Sequence, residues 1–278
     1  MKQLRLALVL CMMAQIILNC NPSDVNPPGQ TDASCKLLFI DRGNGYTYTY
    51  TYNEAGFIAK MMIDVPKNTT SLKDTYLYTF SYTSTNQIRE ATITVNGKTP
   101  AKVTDRGIGD AVSFTWTDGK LTKLVDKLGN KPFLTTSLTY DERDRITKIQ
   151  ADADPTISTS FETQYSYDTQ GNFRVSEPDG KGGYYYEDVT IDRTTTNAES
   201  LLSAHGLPFD IFYTLPWMSN SYTSIKGYEV DPTGKAVLVT EYKLINVVKN
   251  SRNIATKQTI ENNGKQRIVT ATLADCDR

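Results

Sequence analysis

From about Tyr46 to Leu273 the chain alternates, with apolar or aromatic residues at every second position and Thr, Ser, Lys or Glu between them. This period places one set of side chains on one face of a β-strand and the other set on the opposite face. The runs are punctuated in a recurrent way: aromatic-x-aromatic, a polar turn, then a new alternating run. Tyr50-Thr51-Tyr52-Asn53-Glu54-Ala55-Gly56-Phe57-Ile58-Ala59-Lys60 and Leu138-Thr139-Tyr140-Asp141-Glu142-Arg143-Asp144-Arg145-Ile146-Thr147-Lys148-Ile149 are the clearest copies. Phe114 to Leu124 has a shorter Asp118-Gly119 turn, and Tyr165 to Phe173 is a further copy. Weaker ones surround 80–88, 228–237 and 259–268. Asp-Gly and Asn-x-x-Gly supply the positive-φ positions that short hairpin turns need, so each following run is a returning strand. Turn centres recur about every 24 to 34 residues, apart from one gap of about 60 between Asp168 and Asp231. A lone hairpin is marginal in water, so units of this period must stack. The predicted fold is all-β, a long antiparallel meander of repeated hairpins.

The alternation stops between Thr194 and Asn220. Residues 197–206, NAESLLSAHG, read as a short helix, with Thr196 or Asn197 as N-cap and Gly206 at the C-cap. Leu207 to Met218 is strongly apolar and broken by Pro208 and Pro216. Residues 197–218 are therefore expected to form a plug or flap that covers one face or end of the sheet.

The N-terminus follows a different logic. Lys2 and Arg5 precede an apolar run, Leu6 to Leu18, broken only by Gln15. That run is short of the roughly 20 residues a membrane span needs and fits a signal peptide, residues 1–19. Ile17-Leu18-Asn19-Cys20 resembles the bacterial lipobox, although Asn19 stands where a small residue is usual. The resemblance implies cleavage before Cys20 and attachment of the membrane lipid to its thiol; the alternative is a plain secretory signal. Residues 21–34, NPSDVNPPGQTDAS, cannot build a core and read as a flexible tether. Residues 35–278 then form a single β domain. Of the four cysteines, Cys11 lies in the signal and Cys20 carries the lipid, leaving Cys35 and Cys276 at the two edges of the domain. In an oxidising exported compartment these are expected to pair as a disulfide, the alternative being two free thiols.

Charge narrows the partners. The full chain has 30 Lys+Arg and 31 Asp+Glu. Loss of residues 1–19 removes Lys2 and Arg5 and leaves a slight acidic excess, so nothing favours nucleic acid or a polybasic membrane contact. One His and 17 Tyr argue against His-based metal sites and for strands.

The hairpin unit, best at Tyr140-Asp141 and Tyr167-Asp168, resembles the YD (Rhs-type) repeat, Tyr-x-Tyr-Asp-x-x-Gly-Arg-Leu. It is most similar to divergent versions in Bacteroidetes cell-envelope lipoproteins. Several copies lack the turn Gly or the following Arg. The resemblance implies a curled or partly closed, barrel-like sheet at the outer membrane, on its periplasmic face or at the cell surface. It implies no enzyme activity and no cofactor.

Candidate chemistry is thin. His205 is available as a general base but reads first as a helix-terminal residue. Asp141, Glu142, Asp144, Asp152 and Asp154 offer oxygen ligands for Ca²⁺, yet their spacing fits no EF-hand loop and Asp is a turn former. The stretch 177–183, EPDGKGG, lacks the ending of a phosphate loop and reads as a hairpin loop. No Gly-x-Ser-x-Gly element or zinc spacing occurs. Tyr184, Tyr185 and Tyr186 remain: on a strand, 184 and 186 share one face and 185 takes the other. With Trp217 they are candidates for stacking on a glycan or an envelope or host protein; otherwise they are sheet and core aromatics. The expected function is a non-enzymatic binding module. The runners-up are a structural or assembly component and a carboxylate-based hydrolase.

Overall fold

The computed structural model describes residues 35–67, 72–104, 107–156, 160–179, 182–207 and 220–276. Residues 1–19, expected as a signal peptide, Cys20, the expected tether 21–34 and Trp217 lie outside the described residues.

The strands are β1 (Lys36–Asp41), β2 (Thr47–Tyr52), β3 (Ile58–Pro66), β4 (Lys73–Tyr82), β5 (Ile88–Val95), β6 (Ala111–Thr117), β7 (Lys120–Leu128) and β8 (Lys131–Tyr140). They continue with β9 (Ile146–Ala153), β10 (Phe161–Tyr167), β11 (Phe173–Pro178), β12 (Tyr184–Thr196), β13 (Asn220–Val230), β14 (Ala236–Lys249), β15 (Ala255–Asn262) and β16 (Lys265–Ala274). Each strand pairs antiparallel with the next, as the hairpin pattern predicts. β1 also pairs with β16, Lys36 opposite Ala274 and Asp41 opposite Thr270, so the sheet closes fully into a barrel. Closure removes both free edges. The Cys35–Cys276 disulfide, spanning a sequence separation of 241, sits at the start of this seam.

Two rims result. The disulfide rim carries the turns that follow β2, β4, β6, β8, β10 and β14, together with the 197–207 segment. The far rim carries the remaining turns. The 228–237 and 259–268 copies are hairpins as predicted, but they turn at the far rim.

One turn design recurs. At Asn53, the backbone N–H donates to Phe57 O (2.8 Å), Gly56 N–H donates to Asn53 O (2.9 Å), and Asn53 Oδ1 accepts from Phe57 N–H (2.9 Å). The same backbone pair of bonds closes the turns that begin at Thr83, Asp141, Asp168, Asp231 and Asn250. The fourth residue is always left-handed. It is Gly56, Gly171 or Gly234 in some copies and Asn86, Asp144 or Asn253 in others. Asn and Asp tolerate that region, which is why copies without the turn glycine still fold as hairpins.

The aromatic before each turn has a second task. The Tyr52 hydroxyl donates to Leu37 O (2.6 Å), Tyr82 to Ile58 O (2.6 Å), Tyr140 to Leu121 O (2.6 Å) and Tyr167 to Ile146 O (2.8 Å). Trp116 Nε1 does the same to Ile88 O at 2.7 Å. Each aromatic thus reaches back to the opening of the preceding return strand and ties successive hairpins together.

The inner face holds the core, including Leu37, Ile40, Tyr48, Ile58, Ile63, Ile88 and Ile149, all essentially inaccessible to solvent. The alternate, outer positions are largely Thr, Ser, Lys, Gln and Glu. The plug contributes Leu201, Leu202 and Leu207 to the same core.

Candidate functional site

The plug begins with Asn197, whose Oδ1 accepts from Glu199 N–H at 3.2 Å. A 3-10 turn (Ala198–Ser200) runs into the one-turn helix α1 (Leu201–Ala204), and Gly206 follows at φ 92°. The short helix and its Asn197 N-cap therefore fall where the sequence places them, while the C-cap is His205, with Gly206 one residue beyond; 208–218 lie outside the described residues. Glu199 is largely buried, its side chain 14% exposed, and is ion-paired with Arg42, which reaches in over the Tyr48 ring. Burial pushes the Glu199 carboxyl up, opposed by the Arg42 charge.

His205 is 3% exposed. Its Nδ1 lies 2.7 Å from Gly56 O and its Nε2 3.0 Å from Cys35 O, while its own carbonyl accepts from Ile58 N–H. A neutral ring can donate to only one of those carbonyls; a protonated ring donates to both. Tyr52 packs edge-on at 5.0 Å. The side chain bolts the plug to the disulfide strand and the Asn53 turn, and both ring nitrogens are occupied by backbone.

The acidic candidates are dispersed. Asp141 Oδ1 accepts from the Arg143 and Arg145 N–H groups and its Oδ2 from Arg145 Nε. Asp144 pairs with Lys120. Asp154 Oδ1 accepts from Thr156 at the far rim, which holds its carboxyl below the usual range. Asp152 accepts from Gln150 Nε2 at 3.3 Å. Among the described residues, no three His, Cys, Asp or Glu side chains converge on a metal-sized position. In the 177–183 loop, Asp179 Oδ1 accepts from Gly183 N–H at 2.9 Å, closing the β11–β12 hairpin.

The three tyrosines divide. Tyr185 points into the barrel, where its hydroxyl donates to Glu187 Oε1 at 2.8 Å. Its ring lies over Gly227, where an added Cβ would come within 2.2 Å of the hydroxyl oxygen. Burial and the bond to Glu187 push this phenol well up. Nearby, Thr163 donates to Glu177 Oε1 at 2.8 Å. Tyr184 and Tyr186 lie outside. Tyr186 stacks on Tyr228, its partner on β13, with ring centroids 4.8 Å apart and planes 19° apart. The Arg174 guanidinium, held by Asp188 at 2.7 and 2.9 Å, lies 3.9 Å from the centre of the Tyr186 ring. Tyr186 is therefore sandwiched and 9% exposed. The accessible members of the platform are Tyr184 (44% exposed), Tyr228, and Leu238 opposite it on β14 (50% exposed). Sequence parity separates Tyr185 from its neighbours but does not reveal Tyr228 or Leu238, which only the strand register brings alongside.

Sequence reasoning also passed over Asp126. It lies two residues beyond core Leu124 and opposite core Val112, so it faces the lumen. Burial pushes its carboxyl up to about 7.

No family model matches the chain, and no curated protein matches it. Among solved structures, a porin-like protein from Bacteroides uniformis is similar, with a TM-score of 0.51 at 14% identity, covering 86% of this chain and 95% of that one. The TcdB2–TccC3–TEV structure aligns at a TM-score of 0.27 and 11% identity, covering 82% of this chain and 13% of that one. A membrane-spanning barrel presents an apolar band to lipid and a polar interior. Across β1 to β9 the polarity is reversed, with an apolar interior and a mostly polar exterior, while β14 and β16 expose Val237, Leu238, Val239, Ile245, Val248 and Ile268. What the chain shares with the porin-like protein is the closed antiparallel barrel.

Proposed function

We propose that this is a non-enzymatic cell-envelope lipoprotein, anchored through a lipid on Cys20, whose barrel binds a glycan or an envelope or host protein on its outer face. The observation that carries this reading is the platform of Tyr184, Tyr228 and Leu238. It puts exposed Tyr184 and Leu238 beside half-buried Tyr228, a contiguous aromatic and aliphatic patch, whereas Met62 on β3 stands as a single exposed apolar residue on a face made largely of Thr, Ser, Lys and Glu. Aromatic carbon at the surface stacks on sugar rings or on apolar side chains, and exposed apolar patches rimmed by polar residues mark interaction sites.

Two further features support it. The outward polarity disfavours crossing a bilayer by strands, so attachment falls to the lipid. The chain enters the barrel at the disulfide rim, while Tyr184 pairs with Val230 close to the far rim. A tether of residues 21–34 would hold that rim away from the membrane and free to meet a partner.

The runner-up is a structural or assembly component, which the Arg42–Glu199 pair and the bolted plug favour by making a rigid body. A glycan array combined with an envelope pull-down separates the two. Sugar binding lost in Tyr184→Ala and Tyr228→Ala supports the module. Silence on sugars with a stable protein partner that survives both changes supports assembly.

A further inference from the structure

A cavity of about 490 Å³ opens at the disulfide rim, between the plug and the turns after β4, β6 and β8. Its size falls within the roughly 300–1,000 Å³ of small-ligand sites. Trp116 and Tyr140 line it, and both have their polar atoms committed elsewhere, to Ile88 O and Leu121 O. The two rings are thereby fixed; Trp116 offers a ligand carbon surface, while the Tyr140 ring carries Lys120 Nζ at 5.8 Å from its centre. Leu121, Leu138 and Ile146 extend that surface inward.

The polar groups sit around the opening. Asn86 and Asp118 stand at positive-φ turn positions, 63° and 50°, and Ser203 projects from the plug. The side chains of Asn86, Asp118 and Ser203 make no hydrogen bond with the described residues. Asp144, also on the rim, is engaged by Lys120.

This combination selects among ligands. A wholly apolar molecule would cover Asn86 and Asp118 without pairing them, which is costly. An anion would meet Asp118 and Asp144, with the one lysine already paired. An organic cation would find the Tyr140 face already taken by Lys120 Nζ, 5.8 Å from the ring centre. A neutral ring with an apolar C–H face and a belt of hydroxyls matches both halves: the face stacks on Trp116, and the hydroxyls reach Asn86, Asp118 and Ser203.

We propose that this mouth cavity is a binding site for a neutral saccharide unit, separate from the Tyr184 platform. The test exploits the turns. Glycine is at ease at positive φ, so Asn86→Gly and Asp118→Gly remove the side chains while suiting the backbone. Saturation-transfer NMR on the full chain would use methyl glycosides of glucose, galactose, mannose and N-acetylglucosamine, with tetramethylammonium as the cationic control. At least one glycoside is expected to receive saturation at its ring C–H protons. The paired glycine variant should weaken it by about tenfold, the loss of one or two hydrogen bonds, with an unchanged unfolding midpoint. Tyr184→Ala should leave it unchanged, so failure here and failure of the platform are read separately. The proposal is overturned if no glycoside binds, if tetramethylammonium binds instead, or if glycoside binding survives the glycine changes.

Discussion

The Tyr167 hydroxyl donates to the Ile146 carbonyl at 2.8 Å and so joins the β10–β11 hairpin to the one before it. The same clamp recurs from Tyr52, Tyr82 and Tyr140, and from Trp116 through its indole N–H. It gives the repeated aromatic before each turn a physical reason: the residue is both a core side chain and a tie to its neighbour. A stack of hairpins that are individually marginal gains its cohesion from such ties.

Removing one hydroxyl leaves a strand-end carbonyl without that partner. Tyr167→Phe is expected to lower stability by about 1 kcal/mol, and Tyr82→Phe by a similar amount. Their strands, β10 and β4, are six apart, so the losses should add in the double variant. Urea unfolding measures this; no loss in either variant would reduce the clamp to incidental contact.

The disulfide ties β1 to β16, the strand pair farthest apart in sequence among the described residues. Changing both Cys35 and Cys276 to Ser should cost about 2–5 kcal/mol. The seam Lys36–Asp41 should exchange its amide hydrogens well before β7 to β9. Uniform exchange across the barrel would show that closure does not depend on the bond.

Arg42 and Glu199 form a partly buried ion pair between barrel and plug. Arg42→Met leaves a largely buried carboxylate unpaired and should cost about 1–3 kcal/mol. Adding Glu199→Gln should restore a good part of it. A double variant no better than Arg42→Met would contradict the pairing.

Asp126 gives a pH dependence. Its folded carboxyl titrates near 7, above the ordinary 3.8, because burial disfavours the charge. The unfolded chain therefore ionises first as pH rises, and stability falls between about pH 4 and pH 7. Asp126→Asn should match the native protein at pH 4 and exceed it at pH 8 by about 1 kcal/mol or more. Equal stabilities at both pH values would place Asp126 in water.

Much of this fold is legible in sequence because its signals are local. Alternation marks the strands, Asn53 and Asp141 mark turns, and Asn197 with Gly206 bracket the plug helix. Closure is not local: nothing in Lys36–Asp41 names Lys265–Ala274 as its partner, and only the cysteines hint at it. The platform is half legible. Parity separates Tyr185 from Tyr184 and Tyr186, but which face turns inward depends on the whole barrel. That Tyr228 covers Tyr186 depends on a register shared by strands on either side of the plug. Asp126 is in phase with core Leu124, but a lone carboxylate in a Lys-rich strand reads in sequence as one more solvent-facing acid.

The account turns on the outer-face platform, and partner affinity measured across platform variants tests it most directly. Once a glycan or envelope protein has been captured, its affinity for the native chain is compared with that for Tyr184→Ala, Tyr228→Ala and Leu238→Ser, with Met62→Ser as an outer-face control on β3. The account predicts a loss of about tenfold or more for at least two of the three platform changes, as for central interface residues, with unfolding midpoints preserved and the control unchanged. Native-like affinity in all three variants would contradict it.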